Sequence, residues 1–186
     1  MRRIITGQIL LIVCCVFYLI WWYRGYRPGT AVSQIGGLNG VLLLITMAFG
    51  VSGVVFSLMP DPEVSESKLH LMAIMGAGVG AYILLLLVTK FVFHRIVTAE
   101  LFLIVAWTTL EVLVINRLYA GGFLTDSGLT ILCAVIAAAF VVSMVLYVAY
   151  YRMEEVKAFY AAMVPLVMEA ASMAVLIGVT ETLNKP

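Results

Sequence analysis

Glu169 and Glu111 are carboxylates set inside long apolar runs, "VPLVMEAASMAVLIG" and "LFLIVAWTTLEVLVI". A charged side chain at hydrocarbon depth costs roughly 2.5–3.5 kcal/mol on insertion scales, so each acid calls for a use. The chemistry on offer is binding: a carboxylate held between helices takes a proton, a cation or the cationic end of a solute. Around Glu169, the residues Ala158, Ala162, Pro165 and Ser172 recur at helical spacing and make one small, polar stripe. Pro165 has no N–H to give the carbonyl of Ala161, which predicts a kink and a free acceptor one turn from the acid. Around Glu111, the residues Glu100, Ile104 and Trp107 share its face, with Thr108 beside it. The expected site is therefore Glu169 and Glu111, assisted by Ser172, Trp107 and Thr108.

The third apolar run contains "GAGVGA", in which Gly76 and Gly80 form a GxxxG pair around Gly78. Small residues let helix backbones approach, so these three glycines are expected to pack a helix. Against the functional reading stands a plain one, in which the acids only hydrogen-bond neighbouring helices, worth about 0.6–2 kcal/mol. Glu100 and its echo Gln8 read as interfacial polar groups, and Arg24 and Arg117 as side chains reaching for phosphates. His70 and His94 fall at opposite ends of one run, about 36 Å apart along a helix, and cannot share a metal. A weak cation site of His70 with Asp61, Glu63 and Glu66 is a lesser option than an ordinary hydrated turn. Neither a resident metal nor a cofactor is expected. HExxH, GxSxG and glycine-rich phosphate loops are all missing, which weakens an enzymatic reading.

The elements that must position these residues are membrane helices. Of 186 residues, 64% are apolar and 11% charged, against about 25% charged in a soluble domain. The net charge of +1 offers no basic face for nucleic acid. Cys14, Cys15 and Cys133 lie in apolar runs and read as small buried hydrophobes. A bilayer core needs about 20 apolar residues of helix. Six stretches qualify: residues 4–23, 38–58, 69–92, 97–115, 129–151 and 156–179. Their connections carry breakers such as Pro60-Asp61-Pro62-Glu63 and Gly121-Gly122, and Trp21, Trp22, Tyr23, Tyr26, Tyr119, Tyr147, Tyr150 and Tyr151 mark rims. The first run ends in Trp-Trp-Tyr-Arg without a small-residue cleavage site, so it reads as a retained helix.

The chain also repeats itself. "RRIITGQILLIV" from Arg2 matches "HRIVTAELFLIV" from His94 at six of twelve positions, among them Arg3/Arg95 and Thr6/Thr98. "GLNGVLLLITMAFGVSGVVF" from Gly37 matches "GLTILCAVIAAAFVVSMVLY" from Gly128 at eight of twenty, and Val88-Thr89 echoes Val179-Thr180. The offset stays between 91 and 93 across three spans, which independent matches would not do. The pattern predicts an all-α integral membrane protein of two three-helix repeats, residues 1–93 and 94–186, forming one membrane domain. An odd number of spans per unit inverts the second copy, with a pseudo-two-fold axis in the membrane plane. Basic residues divide five to six between the two sides, which assigns no orientation. Glu169 echoes Gly78, so the symmetry breaks near the midplane.

The function expected from these features is a small secondary transporter or channel. It would move a proton, a cation or a small polar or cationic solute through a site between the repeats. The alternative is a non-transporting membrane subunit, scaffold or lipid-binding module, and a weaker one is a membrane enzyme acting on lipid. The expected setting is multi-pass, in the plasma membrane. Expected partners are the lipid bilayer and the solute, with a homo-oligomer as a further option and no nucleic acid.

Overall fold

A computed structural model describes residues 1–29, 37–59, 68–94 and 98–182. It is helical, with no strand among the described residues. The elements are α1 (Arg2–Tyr26), α2 (Gly37–Leu58), α3 (Lys68–Leu87), α4 (Ala99–Ala120), α5 (Asp126–Ala149), α6 (Glu155–Ala161) and α7 (Val164–Thr182). A π-helical turn, Val88–Val92, extends α3, and a 3₁₀ turn, Tyr150–Arg152, extends α5. Six helical stretches are long and apolar enough to cross a bilayer, with α6 and α7 together making the sixth. Their outward faces are apolar: Leu44, Met72 and Val92 are each about two-thirds exposed or more, as hydrocarbon-facing side chains should be. These features make the chain a multi-pass membrane protein.

Turn chemistry fixes the hairpin of α4 and α5. Gly122 takes φ +73, a conformation that side chains resist, and Phe123 N–H closes back on the carbonyl of Leu118 at 2.9 Å. Thr125 then caps α5 by accepting from Gly128 N–H at 3.2 Å, with Asp126 in the first turn facing the positive end of the helix dipole. The last span is broken as well as kinked. Its interruption falls at Ala162–Met163, just before Pro165, whose ring cannot follow four residues of helix behind it. Met163 N–H turns to the carbonyl of Tyr160, and the freed carbonyl of Phe159 accepts from Trp22 Nε1 at 3.4 Å.

The core is built from α1, α4, α5 and α7. Ile4, Leu11 and Cys15 meet Trp107, Leu110, Val114 and Leu118 from α4, Leu132 and Ile136 from α5, and Met173 and Leu176 from α7. α4 is the axis of the bundle, with more than half of its span buried, whereas α3 buries nothing before Thr89. α2 lies outside against α1, and α3 lies outside against α4.

The α1–α2 contact is the closest in the molecule. A Cβ added at Gly7 would fall 2.6 Å from Ser57 N and 2.8 Å from the carbonyl of Gly53, so two backbones touch there. A second tie holds the carboxyl end of α2. Arg117 donates from its two terminal nitrogens to the carbonyls of Ser57 and Met59, each at 2.9 Å, and is buried. It therefore satisfies acceptors that the helix end leaves open, instead of reaching for phosphate as expected. That role also explains why α4 runs to Ala120, five residues beyond the expected end at 115.

Glycine 78 packs against Thr109 of α4, whereas a Cβ at Gly76 or Gly80 would meet nothing within 4 Å. The helix-packing glycines thus divide, one facing a partner and two facing outward. The acidic connection at Asp61, Glu63 and Glu66 lies outside the described residues, as do Arg95 and Lys185.

Three substitutions test this packing by reversible unfolding in mixed micelles. Gly7→Ala drives a Cβ into backbone and is expected to cost about 1–3 kcal/mol, while Gly76→Ala changes stability by less than about 0.5 kcal/mol. Arg117→Met removes two charge-assisted hydrogen bonds and is expected to cost at least about 2 kcal/mol.

Candidate functional site

Between the outer helices and the core runs a cavity of about 720 Å³. Every spanning helix contributes to its wall. α1 supplies Leu11, Cys14, Cys15, Tyr18 and Trp22, and α2 supplies one face from Leu43 to Leu58. Those two ends are about 22 Å apart at 1.5 Å per residue, so the cavity is long as well as wide. α3 adds Met75, Gly78, Val79 and Tyr82; α4 adds a wall from Glu100 to Leu113; Tyr147 and Tyr150 close one end. The lining is overwhelmingly apolar, with Glu169 and Glu100 as its carboxylates.

The break in the last span brings Glu169 to this wall. Ala161, Ala162, Pro165 and Glu169 all line the cavity, so the interruption and the acid share one surface. Glu169 is only 9% exposed and lies near the middle of its span. Among the described residues its carboxylate forms no hydrogen bond. Its electrostatic neighbours are Glu111 and, on α1, Cys14 and Cys15. An acid buried this deep without a partner is costly to keep, which is what marks the residue out.

Glu111 has a different position. It is fully buried within two residues of the middle of α4, closer to mid-depth than its expected span implied. It does not line the cavity; it turns inward, where Gln8 of α1 faces it. Neither Glu111 oxygen has a hydrogen bond of good geometry, and Gln8 Oε1 is also unpartnered among the described residues. Gln8 Nε2 points to Ser57 Oγ at 3.5 Å, a long contact. Gln8 was expected near the membrane boundary, yet it is completely buried, because the α1–α2–α4 junction closes over it.

The remaining expected residues separate by wall. Trp107 lines the cavity with its indole N–H unpartnered. Thr108 faces away and donates to the carbonyl of Ile104 at 2.8 Å, while its neighbour Thr109 lines the wall. Ser172 is buried beside Glu169 but donates at 2.7 Å to the backbone carbonyl of that residue, leaving the carboxylate alone. Glu100, expected in solvent, is half-buried on the cavity wall and accepts from Thr98 Oγ1 at 2.7 Å.

Sequence reasoning missed the wall residues Tyr18, Trp22, Tyr82 and Thr46. Trp22 stood among aromatic residues with a sufficient explanation as rim anchors, which masked the second use, and Tyr18 was passed over as one more residue of an apolar run. Trp22 stacks on Tyr26 at 4.6 Å and on Phe159 at 6.4 Å, tying α1 to α6 at the mouth. Thr46 is held by the carbonyl of Leu42, and its own carbonyl accepts from Cys14 Sγ at 3.3 Å. Among the described residues, no cluster of three or more His, Cys, Asp or Glu side chains is placed to hold a metal. No family model, curated protein or solved structure matches the chain, so the geometry alone must speak for function.

Two measurements test the division between the acids. A membrane-soluble carbodiimide should modify Glu169, which faces the cavity, and spare Glu111, as read by peptide mass spectrometry. Glu111→Met removes a buried acid with no partner of good geometry. The variant is expected to match the parent in thermal stability or exceed it by about 1 kcal/mol.

Proposed function

We infer that the protein is a small secondary carrier, built as an inverted three-plus-three bundle, that binds a cation or cationic solute at Glu169. The carrying observation is a carboxylate at mid-span, without a hydrogen bond, on the wall of a large cavity. A protein that uses its acids only as helix glue has no need of such a space. Glu111, sealed behind the wall yet within electrostatic reach of Glu169, is suited to register whether the first acid is occupied.

The helix pairings support the inverted arrangement. Exchanging each span for its echo turns the α1–α2 pair into α4–α5, and the α1–α7 pair into α4–α3. All four pairs are substantial contacts. Thr89 and Thr180, matched in sequence, are both buried. Gly78 lies against α4, and its echo Glu169 lies near Cys14 and Cys15 of α1, the echo of α4.

The symmetry is incomplete: α1–α2 is packed much more closely than its echo α4–α5, and one pairing has no counterpart. α5 packs on α7, but α2 and α3 make no comparable contact among the described residues, and both line the cavity. Inverted-repeat carriers alternate access by letting each repeat adopt in turn the shape held by the other. On that basis the unequal pairs are the two shapes, one open and one shut. The second state would bring α2 onto α3 and part α5 from α7.

In proteoliposomes, Glu169→Gln is expected to reduce flux of a transported cation at least 100-fold while the variant folds and purifies like the parent. Flux unchanged by this substitution would remove Glu169 from the mechanism. Candidate cations can first be ranked by the rise in melting temperature that they give the parent and not the variant.

A further inference from the structure

We propose that the cavity receives an amphiphilic cation, with one apolar tail and an ammonium-type head, admitted sideways from the bilayer between α2 and α3. The inference names the cargo class of the carrier reading and rests on that reading for movement across the membrane. The binding site itself rests on the shape and chemistry of the wall.

The wall is far too apolar for a bare inorganic ion. Such an ion would exchange its hydration shell for side chains that offer no lone pairs beyond those of a few isolated groups. A tail, by contrast, gains about 25 cal/mol for each Å² of apolar surface removed from water. The length of about 22 Å along α2 accommodates a chain of a dozen or more carbons, and 720 Å³ lies in the ordinary range for ligand pockets.

The carboxyl group at the site selects the head, because an ammonium beside it favours its ionised form. Glu169 is a buried carboxylate with no hydrogen bond, and Trp107 brings an aromatic ring to the same cavity. Tyr18, Trp22, Tyr147 and Tyr150 add further rings toward the end where Glu100 lies. Carboxylates among aromatic faces are the chemistry that recognises quaternary ammonium groups. An anionic head would find no counter-charge beside Glu169 and Glu100.

The entry route follows from what does not pack. α2 and α3 both line the cavity, yet each is held by a different core helix. Val51 and Val54 on α2, and Val79 on α3, line the cavity and are exposed, as the two sides of a lateral opening would be. A tail already dissolved in the bilayer can pass there without crossing water.

The test uses the full chain in phosphatidylcholine nanodiscs, with Trp21→Phe so that the cavity-lining Trp22 and Trp107 alone emit. Dodecyltrimethylammonium carrying a bromine beside its head group should quench this emission saturably. The dodecyl sulfate of equal length, similarly brominated, should quench no more than partition into the lipid requires. Glu169→Gln should weaken the saturable quenching about tenfold or more. Glu169→Asp, which keeps the charge, should restore most of it and guards against a folding defect. Val54→Phe with Val79→Phe should slow the onset of quenching without reducing its final extent.

Equal quenching by the cation and the anion, or no dependence on Glu169, would overturn the proposal in favour of a lipid-filled groove. Competition by tetramethylammonium as strong as that by the tailed compound would overturn the role of the tail. A stable dimer that covers the α2–α3 face would overturn the entry route. If flux of a small cation depends on Glu169 but the amphiphile does not bind, the carrier reading stands and this one falls. Amphiphile binding without flux of any cation has the reverse meaning.

Discussion

Hydrocarbon offers no hydrogen bonds, and that constraint governs every departure from regular helix in this molecule. A backbone group released at membrane depth must find a partner in the protein. The break at Ala162–Met163 meets the requirement by turning one N–H to Tyr160 and lending the Phe159 carbonyl to Trp22. The carboxyl end of α2 meets it through the guanidinium of Arg117. Side chains obey the same economy: Thr46, Thr108, Thr109, Ser172 and Thr180 all return their hydroxyls to carbonyls of their own helix. Against so thorough a pattern, the unpartnered groups stand out. Among the described residues Trp107 and Glu169 face the cavity, Glu111 and Gln8 lie directly behind it, and Ser143 of α5 is one buried hydroxyl outside the pattern.

Close backbone contact and open space are complementary here. The α1–α2 seam is tight because Gly7 and Gly53 bring no side chain between the helices, and dispersion then acts across the shortest distances available. α2 is thereby drawn toward α1, while α3 is drawn toward α4 by the Gly78–Thr109 contact. Each outer helix is committed to a different neighbour, which leaves room between them. The cavity results from where the glycines lie as much as from the residues that line it.

The six spans were legible because a run of about twenty apolar residues has few other uses. Their ends were less so, since Asn116 and Arg117 look like a helix exit until the carbonyls of Ser57 and Met59, some sixty residues away, are known to receive the guanidinium. Glu169 was legible as a mid-span acid beside a proline. What spacing could not reveal was the rotation of each helix about its axis. Glu111 and Trp107 share a helical face on paper, yet one lines the cavity and the other is sealed, because α1 packs across the boundary between them. The same limit applies to "GAGVGA", where the conspicuous outer glycines face away and the middle one makes the contact. Gly7 and Gly53 were overlooked because the motif they form exists only between helices.

The fastening of α2 has a mechanical corollary. That helix is clamped along its length by α1 and riveted at one end by Arg117, so it behaves as part of the frame. Among the described residues α3 packs mainly on α4, and it ends in the loosened coil at Val88–Val92. On the entry route proposed above, α3 would be the leaf that moves, and the wider turn at its foot the hinge.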